Sequence, residues 1–265
     1  NSIRSHIYQQ AISIADRTSA PNKISAISST WHQLPPYLPT QMIPKATVVK
    51  ARVYVNGIGG NTVTHTYFVS NNGGFSHALP VISLSIDEPD LYDYHKGIYV
   101  AGVDFDQWRA ANPTLPISGH RPGNYKRDAD SAEKVANFQY FVNGQEVLNQ
   151  NLGVNVHGGI SRSNPLKSFR LHPRSSYNGD STLNYPFFST QPQYNDYKRL
   201  IIRNSGTDYN LTFFRDAFNQ RVAGHLRFET QAYQTAVHYI NGEYFGMLNV
   251  RERHDKHYIK REYVI

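Results

Sequence analysis

Gly153-Val-Asn-Val-His157-Gly-Gly-Ile-Ser161-Arg162-Ser-Asn-Pro165-Leu-Lys167-Ser168-Phe169-Arg170-Leu171 reads as a strand, a Gly-Gly turn with a small polar tip, and a returning strand that carries a lysine. Glycine allows a backbone to approach a phosphate closely. Arg162 offers a planar fork of donors and Lys167 a point charge. Such a hairpin has the logic of a nucleotide cradle. The plainer reading is an ordinary hairpin with two surface cations.

The surroundings extend the strand pattern. Val135 to Val142 alternates and turns at Asn143-Gly144. Lys198 to Arg203 reads as a further strand, and Thr235 to Ile240 pairs with Phe245 to Arg251 around Asn241-Gly242. Upstream, Leu79 to Ile86 is a buried strand by composition, and Asp87 to Asp93 is a helical turn with Pro89 inside it. Residues 102–130 read as a long loop. Asp208 to Phe228 is expected to be a helix with an apolar face of Phe213, Phe214, Ala217, Phe218 and Val222, and His254 to Tyr263 a second one. Nearer the start, Thr47 to Val55 and Thr62 to Val69 flank Asn56-Gly57 as a hairpin. Ile7 to Ala15 has the makings of a short helix. Asn71 to Gly74 breaks the pattern and marks a boundary.

Composition narrows the function. The 265 residues contain no Cys, which excludes disulfide scaffolds, thiolate zinc sites and cysteine nucleophiles. Net charge is +7, and His157 to Arg227 holds ten Lys/Arg against four Asp, so that block carries +6 of it. An anionic ligand is the functional reading, and a solvated basic surface the plain one. No stretch is apolar enough to span a membrane. No basic-aromatic pattern of an RNA-binding sheet occurs, so nucleic acid is not an expected partner. Gly-x-Gly-x-x-Gly, Walker A, His-Glu-x-x-His and Gly-x-Ser-x-Gly are all absent. Glu252, His254, Asp255 and His257 are metal-ligand types, but neighbours on a helix point to different faces, so no metal site is expected there.

With these residues in hand, the chain resembles the CotH kinase-like family. The arrangement Gly-x-x-x-x-Gly-Gly-x-Ser-Arg-x-x-Pro-x-Lys-Ser-Phe-Arg-Leu at 153–171 carries the resemblance first. Leu200 to Asp208 with Phe214-Arg215-Asp216-Ala217-Phe218 carries it further, as do Val237 to Asp255 and the upstream segments Leu79 to Leu84 and Leu91 to Val100. Residues 44–53 and 63–68 are similar to the small β-sandwich that closes chitobiases and hexosaminidases.

The resemblance implies an α+β chain: an atypical kinase-like N-lobe, an antiparallel sheet with a packed helix, preceded by a small β-sandwich module. The divisions are an N-terminal segment 1–20, the sandwich and linker 21–74, and the N-terminal portion of the kinase-like domain 75–265. It implies an atypical protein Ser/Thr kinase using ATP and magnesium on Ser of a secreted or surface protein in bacteria. Lys167 is then expected on the α/β-phosphates, with Arg162 in the turn above them, Arg203 and Arg215 on an electropositive wall, and Glu252 with Asp255 at a hinge or helix contact. Arg162, Lys167 and Arg203 are expected to face one cleft. The catalytic and metal-binding aspartates are expected downstream of Ile265, so that this portion alone is inactive and the chain reads as a piece of a longer protein. The alternative is an inactive surface adhesion or scaffold module whose sandwich takes a glycan.

Overall fold

A computed structural model describes residues 6–28, 38–71, 77–128, 132–208 and 211–263. Four helices and mostly antiparallel strands make an α+β fold. The strands are β1 (Thr47–Val55), β2 (Ile58–Tyr67), β3 (Val81–Ile86), β4 (Lys134–Val142), β5 (Gln145–His157), β6 (Ser168–His172), β7 (Leu183–Asn184), β8 (Asp196–Tyr197), β9 (Leu200–Arg203), β10 (Tyr233–Ile240) and β11 (Glu243–Glu252). The helices are α1 (Glu88–Tyr92), α2 (Gly102–Ala111), α3 (Arg215–Ala223) and α4 (Lys256–Tyr263).

Seven strands close a barrel in the order β10-β11-β9-β6-β5-β4-β3, and the parallel pairing of β3 with β10 seals it. Successive strand residues point to opposite faces. Leu152, Val154 and Val156 of β5, Phe169 and Leu171 of β6, Leu200 and Ile202 of β9, and Leu248 and Val250 of β11 therefore fill the interior together. Each is at most 5% exposed. The Asn-Gly pairs at 56–57, 143–144 and 241–242 all adopt positive φ, near 50° at Asn and 80° at Gly. That is the turn whose twist matches a tight antiparallel hairpin.

The hairpin of β1 and β2 is a separate two-stranded sheet. Its barrel end is anchored. Phe68, just past β2, lies edge-on to Phe141 and Tyr239 at 5.2 and 5.1 Å, and Thr66 Oγ1 donates to Gln139 Oε1 at 2.6 Å. Its distal end is bare, with Val53, Val55 and Ile58 all exposed. Among the described residues, the sandwich expected over 21–74 amounts to this one hairpin. Residues 72–74 of the expected boundary lie outside the described residues.

Three local expectations are corrected. Residues 102–130 are not all loop, since α2 opens them; no residue of α2 is buried, so it left no apolar period to read. Ile7 to Ala15 carries no helix. The long helix shrinks to α3 because Asp208 lies outside it and accepts the Arg215 amide at 3.0 Å, which fixes the start at Arg215. Ala217 is the one buried residue of α3, so Phe214, Phe218 and Val222 face outward. Residues 209 and 210 lie outside the described residues.

Candidate functional site: an arginine-lined sheet face

The outer surface of β5, β6, β9 and β11 is polar where the inner one is apolar. Three rows cross it. At the glycine-turn end, His157 pairs with Ser168, and Arg203 with Asn249. The middle row runs Asn155, Arg170, Ile201, Arg251. At the far end His172 pairs with Gly153, while Arg199 and Arg253 each sit one residue beyond the paired Leu200 and Glu252. Four strand residues separate the outer rows, roughly 13 Å at about 3.3 Å per residue.

The glycine turn closes one end. Gly158 has φ 124°, and a Cβ there would lie 2.3 Å from Ser161 Oγ, so glycine is required. A short 3-10 turn, Ile160–Ser163, follows. Lys167 is wholly buried beneath it. Its Nζ donates to the carbonyls of Arg162 at 2.9 Å and Asn164 at 2.7 Å, and sits 4.3 Å from the Tyr125 ring centre and 5.2 Å from that of Tyr99. Burial pushes this amine well below the usual lysine range. Lys167 therefore does not share a cleft with Arg162 and Arg203. It occupies the same side of its strand as Phe169, and the alternation sends that side inward.

Arg162 leaves the turn to pair with Asp128 at 3.0 Å, and also donates to the Lys126 carbonyl at 2.9 Å. Arg203 Nε meets Asp216 Oδ2 at 2.6 Å, and the fully buried Arg251 reaches Asp216 Oδ1 at 2.8 Å. Asp216 from α3 thus ties the helix to two strands. Arg215 points instead to Asp208, at 3.5 Å. Glu252 lies inside the barrel wall, 1% exposed, ion-paired to Arg261 of α4 and accepting the Ala232 amide at 3.3 Å. Asp255 caps α4 by accepting the His257 amide at 2.9 Å.

The far end is less neutralised. Arg199 and Arg253 share the single oxygen Oδ2 of Asp255, at 3.5 and 3.6 Å. Arg170 donates its Nε to His157 Nδ1 at 2.8 Å, an uncharged acceptor. Burial, and then the charges of Arg170, Arg203, Arg253 and Arg162, hold His157 down to about 4. His172 is likewise held to about 4, chiefly by burial; Glu133 opposes this, and Arg199, Arg253 and Arg174 add to it. Two adjoining clefts of about 330 and 230 Å³ flank this end and share Lys198, Arg199 and His257.

Of the expected site residues, Arg162 and Arg203 belong to the arginine face, while Lys167 and Glu252 point into the protein. Arg170, Arg199, Arg251 and Arg253 were not singled out. The signal was present as a period of two: Arg199, Ile201, Arg203 on one strand and Asn249, Arg251, Arg253 on another. The donor set suits a polyanion, because guanidinium forks match phosphate oxygens in pairs. It does not suit magnesium. Among the described residues no three His, Asp or Glu gather to hold a metal, and Asp216 and Asp255 are each committed to arginines.

Residues 154–264 match the family model described as CotH kinase protein. The matched stretch is less than half of the chain, and it carries a kinase family's implication of ATP as phosphoryl donor and a protein as acceptor. No curated protein matches the chain. No helix among the described residues is long and apolar enough to cross a membrane.

Proposed function

We propose that residues 75–265 are the nucleotide-binding portion of a CotH-type atypical protein kinase, exported from a bacterium, that passes phosphate from ATP to Ser of a secreted or surface protein. One observation carries the reading: residues 154–264 contain every arginine of the basic sheet face. In this proposal Arg162 and Arg203 approach the phosphates from the glycine-turn end. Lys167 acts through the turn it braces, and Glu252 through α4, which it anchors. Phosphoryl transfer also needs magnesium and a carboxylate that orients the acceptor hydroxyl, and this proposal gives neither role to Arg162, Arg203, Lys167 or Glu252.

The test is calorimetric titration of the 265-residue chain with ATP. Binding that weakens at least tenfold in the Arg162→Ala, Arg203→Ala double variant supports the reading. No phosphate incorporation into a Ser-rich acceptor is expected from this chain alone, with magnesium or manganese. The alternative reading is a scaffold that has lost chemistry. Absence of any ATP binding by the folded chain selects the scaffold.

A further inference from the structure

Beyond that reading, we infer that the far end of the arginine face is a separate binding site for a phosphate dianion, formed by Lys198, Arg199, Arg253, His172 and His257.

Charge balance is the first argument. Arg199 and Arg253 have one shared carboxylate oxygen between them, at distances longer than a good charge-assisted hydrogen bond. Lys198 Nζ meets Ser181 through neutral oxygens, at 3.2 Å to the hydroxyl and 3.5 Å to the carbonyl. Asp255 is further occupied in capping α4. Two cations thus share one carboxylate that is already engaged, and Lys198, in the wall of the same cleft, is met by neutral oxygens. Like charges brought together out of water repel unless an anion joins them.

Space is the second argument. The smaller cleft, of about 230 Å³, is lined by His172, Pro173, Arg174, Lys198, Arg199 and His257, with no acid among them. Arg174 is answered by Glu133 at 2.7 Å, so it frames the cleft without adding free charge. The larger cleft continues past Arg253 and Lys260 and also carries Asp196, Glu252 and Asp255.

The shared wall is the third. Lys198, Arg199 and His257 line both clefts, so a phosphate where the clefts meet faces the Arg199 guanidinium and the Lys198 ammonium, with Arg253 on the larger cleft beside it. His172, whose Nε2 donates to Asn155 Oδ1 at 3.1 Å, adds a wall there rather than a donor.

The shared chemistry is a phosphate dianion, met as inorganic phosphate or as phosphoserine on a polypeptide. Both sources are probed on the full chain by calorimetry: sodium phosphate, and a short phosphoserine peptide against its unphosphorylated form. The expected result is binding by at least one phosphate probe, with a preference over the unphosphorylated peptide of tenfold or more. The Lys198→Ala, Arg199→Ala double variant should lose at least tenfold in that binding while Arg203→Ala keeps it. Unchanged denaturant midpoints confirm that the double variant is folded, and Arg199→Lys offers a milder change if it is not. Peptide binding without inorganic phosphate binding identifies the macromolecular source, and the reverse identifies the free ion.

No binding by either probe, or binding indifferent to Lys198 and Arg199, overturns the inference. ATP titrated into the same variants separates it from the nucleotide reading. ATP affinity that depends on Arg162 and Arg203 survives failure here, and phosphate binding that depends on Arg199 survives failure there.

Discussion

The two ends of the arginine face are built from the same strands, yet they treat charge in opposite ways. At the glycine-turn end Arg162 has Asp128, and Asp216 serves Arg203 and Arg251 with one oxygen each, at 2.6 and 2.8 Å. At the far end one oxygen of Asp255 serves two arginines beyond 3.4 Å. Short, matched pairs hold elements in place. Long, shared pairs leave donors to spare. The difference separates arginines that each have a carboxylate oxygen of their own from arginines that share one.

Acid should test both ends at once. His157 and His172 are held neutral to about 4, against about 6.5 in the unfolded chain. The unfolded chain therefore takes up protons first as pH falls. Stability should be full above about pH 6.5 and decline toward pH 4, by at most about 1.4 kcal/mol per pH unit for each histidine that stays neutral. Urea midpoints across that range measure it, and His172→Asn should flatten the slope. A level profile between pH 6.5 and 4.5 breaks the picture of a basic, desolvated face.

Asp216→Ala should destabilise by about 3–5 kcal/mol, because it strands the buried Arg251 without its carboxylate. A loss under about 1 kcal/mol would show that the matched pairs are not structural.

Lys167→Met keeps length and removes the amine, leaving the carbonyls of Arg162 and Asn164 unanswered. About 2 kcal/mol of destabilisation is expected, with faster amide exchange confined to the glycine turn. Normal stability with slow exchange would mean the turn holds itself.

The smallest effect should come from Asp255→Asn. Asparagine caps a helix as well as aspartate, so stability should move by less than about 0.5 kcal/mol. Removing the one shared negative charge should instead tighten phosphate binding. Weaker binding would make Asp255 part of the site.

Strand positions and the three Asn-Gly turns were legible because period-two alternation and positive-φ turn chemistry are local. Asp255 at the start of α4 was legible for the same reason, since a cap is a local device. The barrel was not, because nothing in residues 81–86 says that they pair in parallel with 237–240. Lys167 and Glu252 were noticed for their residue types, and type alone does not say which face of a strand is solvated. Phase does: Phe169 and Leu171 are apolar, so Lys167 shares their inward side. Applying the same phase to Arg199, Ile201 and Arg203 would have found the basic face. Phe214, Phe218 and Val222 misled in the other direction, since an apolar stripe promised a buried helix face and these residues are exposed.

The closure of the barrel also orders events in time. Val81 cannot find Val237 until the intervening chain exists. During synthesis β3 has only β4 as an early neighbour, and its other edge stays open until β10 has been made. Joining such distant segments costs loop entropy before the contact returns anything, which slows folding. An open edge strand rich in apolar residues is also a template for pairing with the wrong chain. The interval between making Ile86 and making Ile240 is therefore the period in which this protein is most exposed to misassembly.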